Sequence, residues 1–248
     1  MIGIIGYGMV GKAVAYGFGR TAILISDPAY NDLSIEYMCS KDVDAIFVCV
    51  PTPTDDTDYS ILLGVLDKIV ATGYGGLIIV KSTILPKYLE KYDVVYNPEF
   101  LSRATANQDF VNPPFVLLGG RSDLTKRVAE LYRQYSTVKL EKIIYTDVKT
   151  AAMAKYTMNS FYATKVTFMN QMYDVAKQLG VNWNSVADIL KQQPWMGTHH
   201  FQVPGPDGSR GFGGPCLPKD TEALVKEFDV DLLKSVLSIN ERYRNGKI

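Results

Sequence analysis

A cysteine, a lysine and an aspartate sit within five residues in Gly211-Phe-Gly-Gly-Pro-Cys216-Leu-Pro-Lys219-Asp220. Glycines free the backbone to bring Cys216 close to a ligand, and Pro218 suits the first turn of a following helix. A thiol just ahead of a helix N-terminus and beside Lys219 ionises more readily than an ordinary one. Its thiolate can capture an aldehyde as a thiohemiacetal, which oxidises to a thioester that water hydrolyses. A plain buried cysteine beside a surface lysine would not call for so many glycines and prolines. A second constellation, Gly6-Tyr-Gly8-Met9-Val10-Gly11, directly follows the apolar run Ile2–Ile5. Gly6 permits a tight turn, Gly8 lets the backbone approach a pyrophosphate, and Gly11 allows close helix–strand packing. The helix opening at Met9 and Val10 offers N–H groups and a positive dipole end to phosphates. Asp27, ending the next apolar run, suits an adenosine ribose and repels a 2′-phosphate, so NAD is expected over NADP. A glycine-rich turn without ligand, and Asp27 as a turn residue before Pro28, are the plainer alternatives.

The elements that must hold these residues alternate. Ile2–Ile5, Ala22–Ile25, Ala45–Val50, Leu77–Val80, Val94–Tyr96, Phe115–Leu118 and Ile143–Tyr145 are continuous apolar runs, as in strands covered on both faces. Lys12–Phe18, Ser60–Ala71 and Thr125–Tyr135 supply crossover helices. The alternation predicts an α/β class: an N-terminal Rossmann-like, doubly wound, mostly parallel sheet over residues 1–146. A smaller all-helical domain is expected over 147–248. From Val148 to about Leu179 there is no Gly or Pro, and Asp147 is a candidate N-cap. Apolar residues fall almost all round this stretch (Met153, Tyr156, Phe161, Val166, Phe168, Met172, Val175), which predicts a buried spine. Asn184–Lys191 reads as another helix, with two more after the glycine-rich loop.

The 248 residues carry 26 Lys and Arg against 26 Asp and Glu, so there is no basic footprint for nucleic acid or a membrane surface. No apolar stretch approaches the roughly 20 residues that span a bilayer. Cys39, Cys49 and Cys216 lack paired or metal-type spacing, which suits a reducing compartment. Met1 runs straight into the first strand with no room for a signal peptide, and a cytoplasmic location is expected. His199-His200 invites a metal reading, but acidic and cysteine ligands at site-forming spacing are missing, so a substrate loop or plain surface is expected and no metal.

The Cys216 stretch resembles the active-site signature of the UDP-glucose/GDP-mannose 6-dehydrogenase family, and most of all its UDP-glucose 6-dehydrogenases. Further stretches match in order: Val50-Pro51-Thr52-Pro53 with Asp58, Lys81-Ser82-Thr83, Asn97-Pro-Glu99-Phe100-Leu101, Lys155 with Asn159, and Lys165-Val-Thr-Phe-Met-Asn170. The resemblance implies oxidation of a nucleotide sugar's C6 alcohol to a carboxylate with two NAD and one water. Cys216 would then be the nucleophile and Asp220 would act on or through the water. Lys155 and Asn159 would contact the C6 oxygen or that water; four apart, they share one helix face and suit a developing oxyanion. Thr83 would place a hydroxyl near water and nicotinamide, and Glu99 would be an acid/base group beside the thioester. Val50, Pro51, Thr52, Pro53, Ser82, Thr83 and Lys219 would line the cofactor, while Glu99, Phe100, Leu101, Phe212 and Gly213 would border the sugar. The family also implies a homodimer through the helical domain.

Three departures stand out. Arg103 occupies the position of the family's second glutamate. The interval from Asp27 to the third strand is short, so a crossover helix is expected to be reduced or missing. The chain stops at Ile248, where typical members continue to a further nucleotide-binding domain. Two other functions stay open: a two-electron 6-phosphogluconate- or 3-hydroxyacid-type dehydrogenase, which needs no thiol, and a non-catalytic NAD- or nucleotide-sugar-binding module.

Overall fold

The structure is a computed structural model that describes residues 1–52 and 58–246. The chain forms two compact units, Met1–Lys155 and Tyr156–Ile248.

The first unit is a seven-stranded sheet in the order β2-β1-β3-β4-β5-β6-β7. Its strands are β1 (Ile2–Ile5), β2 (Ile23–Ser26), β3 (Ala45–Val48), β4 (Leu77–Val80), β5 (Val95–Tyr96), β6 (Val116–Gly119) and β7 (Ile143–Thr146). All pairs are parallel except β5 with β6, which meet antiparallel with Tyr96 opposite Gly119. Helices α1 (Met9–Gly17), α3 (Ser60–Ala71), α4 (Ala106–Val111) and α5 (Ser122–Tyr135) intervene. Between β2 and β3 the chain manages only α2 (Ile35–Cys39), five residues capped by Ser34, whose side chain accepts the Tyr37 N–H. Ile2, Ile4, Phe18, Phe47, Ile79, Leu118, Val128 and Tyr132 form the core, with the rings of Phe18, Phe47 and Tyr132 mutually in contact. Burying such side chains at roughly 2 kcal/mol each is what holds the sheet and its helices together.

Helix α6 (Val148–Gln178) is capped by Asp147, which accepts the Thr150 N–H at 2.8 Å. Its opening turns pack on the sheet unit: a side chain at Gly119 would meet Ala151. The compact-unit boundary therefore falls at 155 rather than at the expected 146. The second unit comprises the rest of α6 with α7 (Trp183–Lys191), α8 (Leu217–Phe228) and α9 (Asp231–Arg244). Met169, Ala176, Trp183, Ala187, Phe201 and Val203 make one small core; Ala163, Phe212 and Val236 make another. The expectation that α6 is buried on every side is corrected. Met153, Phe161, Phe168 and Val175 are 56, 60, 50 and 44 % exposed. So few helices cannot surround a helix of 31 residues, and one apolar stripe is left uncovered.

Candidate active site

In the sheet unit, the chain passes from β1 to β2 on one side and returns to β3 on the other. This is a topological switch point, where a crevice opens beyond the carboxyl ends of the strands. Gly6 has φ +88°, and a Cβ there would stand 2.8 Å from the backbone of Cys49 and Val50, so the loops after β1 and β3 nearly touch. A Cβ on Gly11 would reach within 2.1 Å of the Gly6 carbonyl oxygen. At Gly8, the N-cap of α1, an added Cβ would meet only open space. That opening faces the N-terminal turn of Met9 and Val10, whose N–H groups lack partners within the helix. Asp27 stands past the end of β2; its Oδ2 accepts the Tyr7 N–H at 2.5 Å and its Oδ1 the Ala29 N–H at 2.8 Å. An open glycine, a helix N-terminus and an anchored carboxylate together fit a dinucleotide. Val50 and Ser82 are joined, the serine hydroxyl donating to the Val50 carbonyl at 2.6 Å, and Thr83 is buried next in line. Pro51 is exposed and Thr52 half-buried, while Pro53 lies outside the described residues.

Beyond β4 and β5 lies a buried polar group whose Lys81 and Asn97 stood in matched stretches without a role of their own. Lys81 donates to Asn97 Oδ1 at 3.1 Å, and the same oxygen accepts the Tyr132 hydroxyl at 2.7 Å. Burial brings the Lys81 ammonium down to about 8 and pushes the neighbouring Cys49 thiol up to about 12. Lys155 Nζ donates to the Glu99 backbone oxygen at 2.6 Å and to its carboxylate at 3.0 Å, forming a buried ion pair. Burial opposes the Glu99 charge, but the Lys155 ammonium, the Leu101 N–H and Lys81 outweigh it and hold the carboxyl below its ordinary range. Lys155 is therefore no solvated helix lysine. With two of its three N–H donors engaged on Glu99, a third is left, among the described residues, for an incoming oxygen. Its Nζ also lies 5.3 Å from the Phe100 ring centroid, and Leu101 is half-buried. Arg103 is exposed in the turn before α4.

In the helical unit, Cys216 is the N-cap of α8 and Pro218 lies in its first turn. Asp220, one turn on, is 1 % exposed. Its Oδ2 accepts Asn159 Nδ2 at 2.5 Å and its Oδ1 accepts Lys219 Nζ at 2.5 Å. Lys219, expected at the cofactor, is thus engaged with Asp220. Phe212 is buried, and Gly213 packs so closely on Arg244 that an added Cβ would lie 2.7 Å from its guanidinium. His200 stacks on Tyr162 at 4.7 Å. Asn170, Arg210 and Asn240 hold the loop before Cys216, and sequence reasoning assigned them no role. Asn170 ended a matched stretch, and Asn240 lay in an otherwise ordinary helical pattern; only burial marks them out.

Residues 31–136 match the NAD-binding domain of the UDP-glucose/GDP-mannose dehydrogenase family and residues 149–242 its central domain. The chain belongs to the UDP-glucose/GDP-mannose dehydrogenase family. NAD is the cofactor of its first unit, and the glycine loop and Asp27, ahead of the matched residues, supply the fit described above. Family relatives include the UDP-glucose 6-dehydrogenase of Rickettsia conorii, 31 % identical over 222 residues, covering 82 % of this chain and 50 % of the relative. The GDP-mannose 6-dehydrogenase of Pseudomonas aeruginosa is 31 % identical over 232 residues, covering 80 % and 51 %. Among solved structures, a UDP-glucose dehydrogenase from the archaeon Pyrobaculum islandicum superimposes with a TM-score of 0.81 at 24 % identity, over 97 % of this chain and 67 % of that one. That likeness establishes the fold. The chain spans about half the length of the curated relatives it matches. Among the described residues no helix is long and apolar enough to cross a membrane.

Proposed function

We propose that the protein oxidises the C6 alcohol of a nucleotide sugar to a carboxylate, with UDP-glucose the favoured substrate. The observation that supports this most is the α8 N-terminus, where Cys216 stands at the N-cap position and buried Asp220 is gripped by Asn159 and Lys219. NAD, held at the glycine loop and Asp27, would supply the hydride acceptor, one NAD molecule for each of the two oxidations at C6. Cys216 Sγ attacks the aldehyde carbon left by the first, giving a thiohemiacetal whose oxidation yields a thioester. Water then adds to the thioester carbon and the thiolate leaves. Asp220, a carboxylate held between two donors, takes the proton from that water. Lys155 and Asn159 each direct an N–H at the C6 oxygen as it gains charge. Glu99 keeps the Lys155 ammonium oriented, and its depressed titration makes it a fixed charge near neutral pH and a poor proton donor. Thr83 would contact the water and nicotinamide, and Phe212 and Gly213 would border the sugar. Phe161, Phe168 and Val175, exposed at every seventh residue of α6, are the seam through which we propose two copies pair.

The test is NADH formation by the purified chain with UDP-glucose, UDP-N-acetylmannosamine and GDP-mannose, counted per substrate consumed. About two NADH per substrate, as alcohol-to-acid oxidation requires, is the expected outcome and names the substrate. No NADH from any of them, with NAD demonstrably bound, would replace this proposal by a binding module.

A further inference from the structure

Two buried asparagines that no step above uses fix the backbone of the segment leading to Cys216. Asn240, on α9, accepts the Phe212 N–H at 2.7 Å and donates to the Phe212 carbonyl at 3.0 Å. One side-chain amide thus satisfies both polar groups of a buried residue that water would serve on an ordinary surface loop. Asn170, on α6, accepts the Gly211 N–H at 3.1 Å and Arg210 Nε at 3.3 Å. Arg210 donates to the Asn170 carbonyl at 2.8 Å and pairs with Asp174 at 2.7 Å. Its guanidinium lies near the rings of Tyr173 and Tyr243, and the Tyr243 hydroxyl donates to the same carboxylate at 2.8 Å. The fit at the centre is close. Gly211 has φ +74°, and a Cβ there would stand 2.3 Å from Asn240 Oδ1. Downstream, α8 is tied through Asp220 to Asn159. Residues 213–216 therefore run between two anchors, each made by a buried asparagine.

We propose that Asn240 is a positioning residue: through Phe212 it sets where the Cys216 thiol stands relative to the α8 N-terminus. The inference rests on the nucleophilic role proposed for Cys216. Only an amide of this length presents one donor and one acceptor side by side here; aspartate lacks the donor, and leucine keeps the shape but loses both. A displacement of about 1 Å at a reacting atom can cost on the order of 100-fold in rate.

The test uses the full chain carrying Asn240→Leu, with Arg210→Lys as a second variant that loosens the same segment from its α6 side. Thermal unfolding, NAD affinity, kcat and KM for the nucleotide sugar, and alkylation of Cys216 by iodoacetamide across about pH 6 to 9 would be measured. Mass spectrometry of the Cys216 peptide keeps Cys39 and Cys49 out of the signal. Folded variants should bind NAD as the parent does, lose on the order of 100-fold in kcat, and show a displaced alkylation profile. Wild-type kcat and an unmoved profile in a folded variant would overturn the proposal, as would a loss of activity that merely follows loss of folded protein. Should the parent chain itself form no NADH, a displaced profile would still support the role of Asn240 while the catalytic reading fell.

Discussion

Glu99→Gln isolates the charge of one buried carboxylate at almost constant shape. In the native chain, Glu99 faces Lys155 at 3.0 Å and also stabilises Lys81, so two buried cations share one anion. Removing one partner of such a pair costs about 3–5 kcal/mol, because the remaining charge stays buried and uncompensated. The 2.6 Å bond from Lys155 to the Glu99 backbone oxygen survives the change, which puts the expected cost near the lower bound, about 3 kcal/mol. With a urea m-value of about 2 kcal/mol/M, the midpoint should fall by about 1.5 M at neutral pH. The pH dependence follows from the titration. A carboxyl held below its ordinary range contributes stability above the unfolded value, about 4.3, and loses it as pH falls through the folded value. The gap between parent and variant should therefore hold from about pH 6 to 7, below the titration of Lys81, and close in acid. Urea titrations of both proteins across that range decide it. A neutral-pH gap below about 0.5 kcal/mol, or one that persists undiminished in acid, would refute the buried-pair account.

Three other outcomes are expected. Gly8→Ala should leave stability unchanged, since its Cβ meets open space, yet weaken NAD binding measurably by fluorescence titration; Gly11→Ala should instead lose about 1–3 kcal/mol, because its Cβ falls 2.1 Å from the Gly6 carbonyl oxygen. Between about pH 8 and 10.4 the unfolded chain binds a proton at residue 81 that the folded chain has released, so parent stability should climb relative to Lys81→Met by about 3 kcal/mol across that window; parallel pH profiles would contradict it. Cys216→Ser should abolish acid formation from the nucleotide sugar while NAD still binds, and an undiminished yield of acid would remove the thiol from the mechanism.

Chemistry was more legible than packing. The glycine loop and the Cys216 stretch announce themselves because they need residue types that few other structures require, and the strands do so because two-sided burial demands unbroken apolar runs. Short elements such as α2 and α4, too brief to show a period, were invisible. The Lys155–Glu99 pair was half legible: each residue drew a separate role, but 56 positions apart nothing in the chain says that they neutralise each other. Lys81, Asn97 and Asn170 lay in matched stretches and Asn240 in an ordinary helical pattern, but nothing in the chain names the partners that burial forces on them. The α6 stripe misled for the opposite reason, since an all-round apolar helix says what must be covered but not whether this chain supplies the cover.

The reversal of strand direction at β6 has a consequence for length matching. Gly119 is level with Tyr96 across the antiparallel pair, and Asp147 and Ala151 lie against Gly119. Because β7 also runs backwards, the helix that follows it turns round and advances the way the chain moves from Tyr96 towards Glu99. Three residues past Tyr96 can reach about 10 Å at the rise of a strand. Eight helical residues past Asp147 reach about 12 Å. The two rulers agree at Lys155. A sheet parallel throughout would send the helix the other way, and one residue inserted between Asp147 and Lys155 would swing the ammonium about 100° round the axis, off its carboxylate. The segment should therefore tolerate substitutions on its exposed side far better than any change in its count of residues.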